Sequence, residues 1–454
     1  MRLKQSPAPR RSLGGFRPVW TPLAVALGLA AGSSAQAQSL QALYDAARGY
    51  DAAYLAAKAL ADSAEFKVAQ SEALSKGSVA VASSATASQL NAPKIGSGDT
   101  NPVTASLVGR YALFNKSNDA VIEQARKSLV AAQADLETAE QDLIIRLSQA
   151  YFDVLAAQDA LATSKANKAA ITEQLASAKR NFEVGTATIT DTREAQARFD
   201  LASAQEIAAD NDLRTKRIAL DQLVGRTGVT PNGLVTPVAL PSPAPADSEA
   251  WVQQADASHP GVRKARVALE VAKLDIERAR AADMPTVDAV GTVAASRAAG
   301  SSLAVAGVRG VTHTNSLALQ LNWPLYSGGS IEGRIKETLA LETKSRNDLE
   351  AARRTVAQAT RQAFFGVQSG LAQVKALEAA EASTKLALEA TQLGYKVGVR
   401  VNLDVLNSQT QLFQTQRDLA KARYDVIVGG LKLRQASGQL KSDDVRTVNA
   451  LLKP

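Results

Sequence analysis

The sequence predicts an α+β membrane protein built as a tandem duplication, each copy carrying a pair of β-strands and a very long α-helical hairpin. Three observations predict it. The chain matches itself at an offset of 212–213 residues. Residues 117–184 contain no Gly or Pro. Period-two alternation appears just before each long helical stretch. The composition agrees: 46% apolar and 21% charged residues exclude a disordered tail, while 4% aromatics are too few for several compact cores.

The repeat holds register through turns, which chance similarity between Ala-rich helices would not do. Gln149-Ala150-Tyr151-Phe152-Asp153-Val154 overlies Gln362-Ala363-Phe364-Phe365-Gly366-Val367, and Phe182-Glu183-Val184-Gly185 overlies Tyr395-Lys396-Val397-Gly398. Leu113-Phe114 overlies Leu325-Tyr326, Tyr111 overlies Trp323, Asp191 overlies Asp404 and Gly225 overlies Gly438. The division that follows is a first repeat at 38–225, a Pro-rich linker at 226–248, a second repeat at 249–438 and a tail at 439–454. In the linker Pro231, Pro237, Pro241, Pro243 and Pro245 interrupt any regular element.

Before the first repeat, the stretch through Arg17 is basic, Leu23 to Ala31 is apolar, and Ala35-Gln36-Ala37 follows. A basic head, a short apolar core and an A-x-A site predict a secretory signal peptide over 1–37. The apolar run is short of the ~20 residues a spanning helix needs. This segment carries five of the chain's basic residues and no acid, so the formal charge falls from +8 to +3 without it. No basic patch remains to suggest nucleic acid. Cysteine is absent, and His259 and His313 are the only histidines. Thiolate chemistry, disulfides, a lipidated N-terminal Cys and a His-based triad or metal centre have no basis in this composition. No cofactor and no catalytic constellation are expected, and the Ser327-Gly328-Gly329-Ser330 run lacks the Gly-Lys-Ser/Thr end of a phosphate loop.

The strands are expected at about 78–88 and 104–114 in the first copy and 286–300 and 312–326 in the second, with helices over 117–184, 187–224, 331–396 and 400–437. Leu317, Leu319, Leu321, Trp323 and Leu325 alternate with Ser316, Ala318, Gln320 and Asn322; Leu107, Gly109, Tyr111 and Leu113 alternate with Ser106, Val108, Arg110 and Ala112. One face meets an apolar medium and the other water. About ten residues is the length of a tilted membrane strand. Tyr111, Phe114, Trp323 and Tyr326 fall next to the long helices, where aromatics suit a membrane–water interface. A half-buried soluble sheet is the alternative. Four strands cannot close a membrane barrel, which takes about eight, and open edges are not tolerated in lipid. If the strands span, several chains share one barrel, and the helical hairpins continue it as a conduit. A coiled-coil surface adhesin or structural rod, and a periplasmic adaptor, are competing readings. An adhesin would carry its membrane strands at one terminus, and an adaptor would carry one hairpin between soluble β domains.

Several ordered segments resemble the TolC family of outer-membrane channels. They are Ala150-Tyr151-Phe152-Asp153-Val154-Leu155, Asn181-Phe182-Glu183-Val184-Gly185-Thr186 with Ile189-Thr190-Asp191, Leu325-Tyr326-Ser327-Gly328-Gly329, Gly394-Tyr395-Lys396-Val397-Gly398 with Asp404-Val405-Leu406, and Gly438-Gln439-Leu440 with Asp443-Asp444-Val445. The resemblance covers essentially the whole chain after the leader. It implies a homotrimer with a twelve-stranded barrel in outer-membrane lipid and a periplasmic α-helical barrel. It implies an exit duct, on the multidrug-efflux and type I secretion side of the family, joined through a periplasmic adaptor (membrane fusion) protein to an inner-membrane pump or ABC exporter. By the same resemblance Tyr395 and Arg400 are gate residues that bond the Thr190-Asp191 end of the neighbouring hairpin. Asp404 matches one ring of carboxylates at the entrance; Asn407 stands where the family has a second. Arg400, Asp404 and Asn407, spaced i, i+4 and i+7, share a helix face; on spacing alone a solvated helix-cap cluster is the favoured account of them, and only the resemblance favours the gate. The turns Val184-Gly185-Thr186 and Val397-Gly398-Val399 are the expected adaptor-docking tips.

Overall fold

The computed structural model describes residues 38–92, 96–235, 237–297 and 310–453, so the expected signal peptide and the last three residues of the strand expected at 286–300 lie outside the described residues. The first half runs α1 (Leu40–Arg48), α2 (Ala52–Glu72), β1 (Ser78–Ala85), β2 (Ser88–Ala92), β3 (Gly96–Thr100), β4 (Val103–Phe114), α3 (Lys116–Glu183) and α4 (Ile189–Val224). The second runs α5 (Ser248–Ser258), α6 (Pro260–Ala281), β5 (Thr286–Arg297), β6 (Val311–Asn322), α7 (Ser330–Lys396), α8 (Asn402–Ala436) and α9 (Ser442–Asn449). At ~1.5 Å per residue, α3 and α7 each extend about 100 Å. Among the described residues no helix is long and apolar enough to cross a membrane.

β1, β4, β5 and β6 form one antiparallel sheet in that spatial order. Cross-strand partners share a face, and the faces differ in chemistry. Val81, Leu107 and Val293 align across three strands, as do Val79, Gly109, Gly291 and Leu317 across four. The opposite face carries Ser106, Thr292, Ser316 and Gln320, an Arg110–Asp288 ion pair at 2.6 Å, and a Thr104–Ser296 hydrogen bond at 3.1 Å. The apolar face is uncovered in the single chain: Leu317 is 87% exposed. β2 and β3 prolong the β1–β4 hairpin in unbroken register, with Thr86 N donating to Pro102 O at 3.0 Å across the join.

The strand expected at 312–326 ends early, and two of the four aromatic residues fall outside it. β6 stops at Asn322, because Pro324 has no N–H for the ladder and Gly328 and Gly329 turn the chain at φ 63° and 84°. Trp323 and Tyr326 therefore lie in the turn beyond the strand, with Tyr326 90% exposed. Tyr111 sits within β4 opposite Ala289, and Phe114 ends that strand past a bulge at Ala112/Phe114.

The helices repeat the order of the strands. α2 packs on α3, α3 on α6 and α6 on α7 beneath the sheet; further along, α4 and α8 flank α3, and α8 packs on α7. The starts of α2 and α6 thus each meet the end of another helix. Gly225, after α4, lies against Tyr50 just before α2, and Gly438, after α8, lies against His259 just before α6. Both glycines adopt φ 70°. The main core lies at this level: Tyr44, Tyr151, Phe152, Tyr424, Leu440 and Val445 belong to one buried cluster joining α1, α3, α8 and the tail. Tyr151 bonds the Asn232 backbone, its hydroxyl accepting from N at 2.7 Å and lying 3.0 Å from O, which ties the inter-repeat linker to α3. Asp51 caps α2 and takes both Arg146 guanidinium nitrogens at 2.9 and 3.0 Å, and that guanidinium holds its carboxyl below the usual range.

Candidate functional site: the far ends of the hairpins

Both hairpins turn in the same way. Gly185 and Gly398 follow the ends of α3 and α7 at φ 78° and 81°, a conformation that favours glycine. Thr186 N bonds Asn181 O at 2.8 Å and Val399 N bonds Gly394 O at 2.9 Å, closing each helix end. Val184, Val397 and Val399 are left in solvent, Val399 76% exposed. Two turns of exposed valines and backbone are what these ends present.

The starts of α4 and α8 differ. Thr188 and Asp191 form a reciprocal cap on α4: Asp191 Oδ2 accepts from Thr188 N at 2.9 Å and from Thr188 Oγ1 at 2.8 Å, and Asp191 N donates back at 3.2 Å. Thr190 is exposed beside it. At the start of α8, the N-cap residue Val401 provides no side-chain cap. Arg400 instead lies over Gly394, where a Cβ would meet its Cγ at 2.8 Å, and reaches Asp404 at 3.6 Å. Its side chain is 61% exposed and that of Asp404 37%, so the pair is screened and weak.

Within one chain, then, Arg400 meets Asp404, while Asp191 is held by its own cap. The expected gate contacts are not made inside the chain. Tyr395 does join the hairpins, but through Asn181, whose amide donates to its hydroxyl at 3.2 Å. Two further links were not expected: Gln174 of α3 bonds Asn402 of α8, and Arg198 of α4 donates to Asn407 Oδ1 at 2.9 Å. Beneath them Ile171, Leu175 and Ala178 of α3, Ala195 and Ala202 of α4, and Leu406 of α8 form a separate buried cluster. The partners of these bonds stand 228, 214 and 209 residues apart and none is the repeat counterpart of the other, so the self-match does not announce them.

Comparison with known proteins adds to this geometry. Residues 43–226 and 251–439 match the family described as outer membrane efflux protein. The chain is 34% identical to the outer membrane protein TolC of Vibrio cholerae, over 75% of this chain and 78% of that one. It is 32% identical to the alkaline protease secretion protein AprF of Pseudomonas aeruginosa, over 68% of this chain and 64% of that one. The crystal structure of the outer membrane protein VceC from Vibrio cholerae superposes with a TM-score of 0.75 at 20% identity, covering 88% of this chain and 96% of that one, a likeness of fold.

Proposed function

The chain belongs to the outer membrane efflux protein family, and from that premise we propose that three copies close one duct whose periplasmic mouth is gated by the hairpin ends. It is an outer-membrane protein with a periplasmic helical domain. It serves as the exit duct of efflux and type I secretion systems, a transporter and not an enzyme. Channels of this family are trimeric.

The observation that carries the assembly is the open four-stranded sheet with one apolar face. Lipid can solvate that face but not the free edges of β1 and β6. Three copies joined edge to edge give twelve strands and no edge. The polar face, with Arg110 and Asp288, then lines the lumen, and the aromatic residues Tyr111, Phe114, Trp323 and Tyr326 lie toward the periplasmic interface. The helical layer follows the same circle.

At the mouth, Arg400 is the mobile element of the gate. Its contact with Asp404 is weak enough to be exchanged for the Thr190-Asp191 end of an adjacent hairpin, and Tyr395 steadies the same end through Asn181. Asp404 and Asn407 form the entrance. The valine turns at Val184-Gly185-Thr186 and Val397-Gly398-Val399 dock a periplasmic adaptor, which links the duct to an inner-membrane pump or ABC exporter. Docking there acts on residues next to the gate in sequence.

Single-channel recording tests this reading, using protein purified from outer membranes with its mass measured in detergent. The expected result is a trimer with small pores that enlarge severalfold in Arg400→Ser, since removing a weak exposed contact costs only about 0–1 kcal/mol of closed-state stability per copy but acts three times. A trimer whose pores are unchanged by Arg400→Ser removes the gate assignment. A monomer without conductance removes the shared barrel.

A further inference from the structure

The charge around the proposed entrance is not that of two carboxylate rings. Asn407 is neutral, and Arg198 Nη2 lies on it at 2.9 Å. The contact arises because Ala195 and Ala202 let α4 approach Leu406 of α8 over Ile171 and Leu175. Asn407 is exposed on the rim of this cluster, so Arg198 emerges on the same side. Among the described residues Arg198 forms no ion pair. Glu194, one turn earlier, makes none with it, and Asp200 is taken by Gln196 at 3.0 Å. The nearest acid along α8, Asp404, already has Arg400 beside it at 3.6 Å.

We propose that Arg198 is a further specificity-determining residue of the duct: held on Asn407, it sets a ring of guanidinium groups where a second ring of carboxylates would stand and cancels the cation preference of Asp404. The inference rests on the reading of Asp404 and Asn407 as the entrance. Its physics is direct. A carboxylate at 407 in this geometry would form an ion pair with Arg198 and neutralise it. The amide oxygen accepts the same hydrogen bond and fixes the same orientation, but leaves the positive charge in place. Threefold symmetry makes three such charges at one level, and a ring of like charge concentrates its counter-ions. The entrance therefore does not favour cations, and it passes acidic small molecules and acidic stretches of polypeptide that two carboxylate rings would repel.

The test is the zero-current potential of trimers in planar bilayers under a KCl gradient, which gives the potassium-to-chloride permeability ratio. Wild type is expected near or below parity. Arg198→Gln and Asn407→Asp should each raise the ratio, on the order of twofold or more, and Arg198→Lys should leave it low. Asp404→Asn, measured beside them, should lower it. If Asp404→Asn shifts the ratio and neither Arg198→Gln nor Asn407→Asp does, the role of Arg198 is overturned and the entrance reading survives. If none of the four substitutions moves the ratio, the entrance lies elsewhere and both readings fall together.

Discussion

At His259 one imidazole caps a helix and sits in the contact between two. Its Nδ1 accepts from Gly261 N at 3.0 Å at the start of α6, and Gly438 presses on its backbone, where a Cβ would lie 2.4 Å from the His259 Cα. Burial lowers its pKa below the ordinary imidazole range, against the opposing charge of Glu137. Protonation at Nδ1 would also remove the cap acceptor. The folded state thus resists a proton that the unfolded chain accepts from about pH 6.5 downward, and stability falls as pH drops through that value. His259→Asn keeps a capping oxygen and removes the titration. Melting midpoints of the two proteins should draw apart between pH 7.5 and 5.5, the wild type losing more; a constant difference would mean that His259 does not titrate in this window. The sequence marked His259 only as one of two histidines. Its role depends on Gly438, and their pairing is tertiary.

At the scale of elements, the alternation along β6 makes neighbouring residues unequal. Leu317 aligns with Gly291, Gly109 and Val79 on the apolar face, while Ser316 aligns with Thr292 on the polar one. Leu317→Arg should cost about 2–4 kcal/mol by placing a guanidinium in hydrocarbon, whereas Ser316→Arg should be nearly neutral. Heat-resistant trimer on semi-native gels measures the difference, and equal yields would mean a sheet that does not face lipid. This alternation was legible because Leu317, Leu319 and Leu321 keep one face apolar toward the helical end of β6, with Asn315 and His313 interrupting it only further along, just as α3 was legible because nothing in it breaks a helix. Other parts were not. β2 and β3 hold Asn91, Gly96, Gly98 and Asp99, poor strand formers that pair only because β1 and β4 deliver them in register. Trp323 and Leu325 continue the alternation in sequence but not in structure, since Pro324 ends the ladder. At the hairpin ends Arg400 and Asp404 could be paired from helix spacing. Asn181–Tyr395, Gln174–Asn402 and Arg198–Asn407 required the packing of one hairpin on the other.

At the scale of the molecule, one chain cannot be the finished object. It exposes 29025 Å², where a compact monomer of its 47.6 kDa would expose roughly 16,000 Å². The excess has a pattern. On α2, Leu55 and Phe66 point away from the residues that face α3; on α4, Ile207 and Ile218 do the same. Because α2 and α4 meet near Gly225, these side chains make one apolar stripe along a flank. The other flank is α7, with Phe365 opposite its buried Phe364 and Val367 face and Leu386 further along. The flanks differ, so the contact between copies is head to tail, and it must close into a ring or propagate. This asymmetry can be tested by mixing. Phe66→Glu with Ile207→Glu blocks one flank; Phe365→Glu with Leu386→Glu blocks the other. Neither subunit alone can close a ring, but each keeps the surface the other needs. Co-expressed, they should form dimers that stop there, visible by mass in detergent. Full trimers from the mixture would show that the stripes are not the contact. Dimers from either variant alone would show that the contact is isologous, and the ring argument would fail with it.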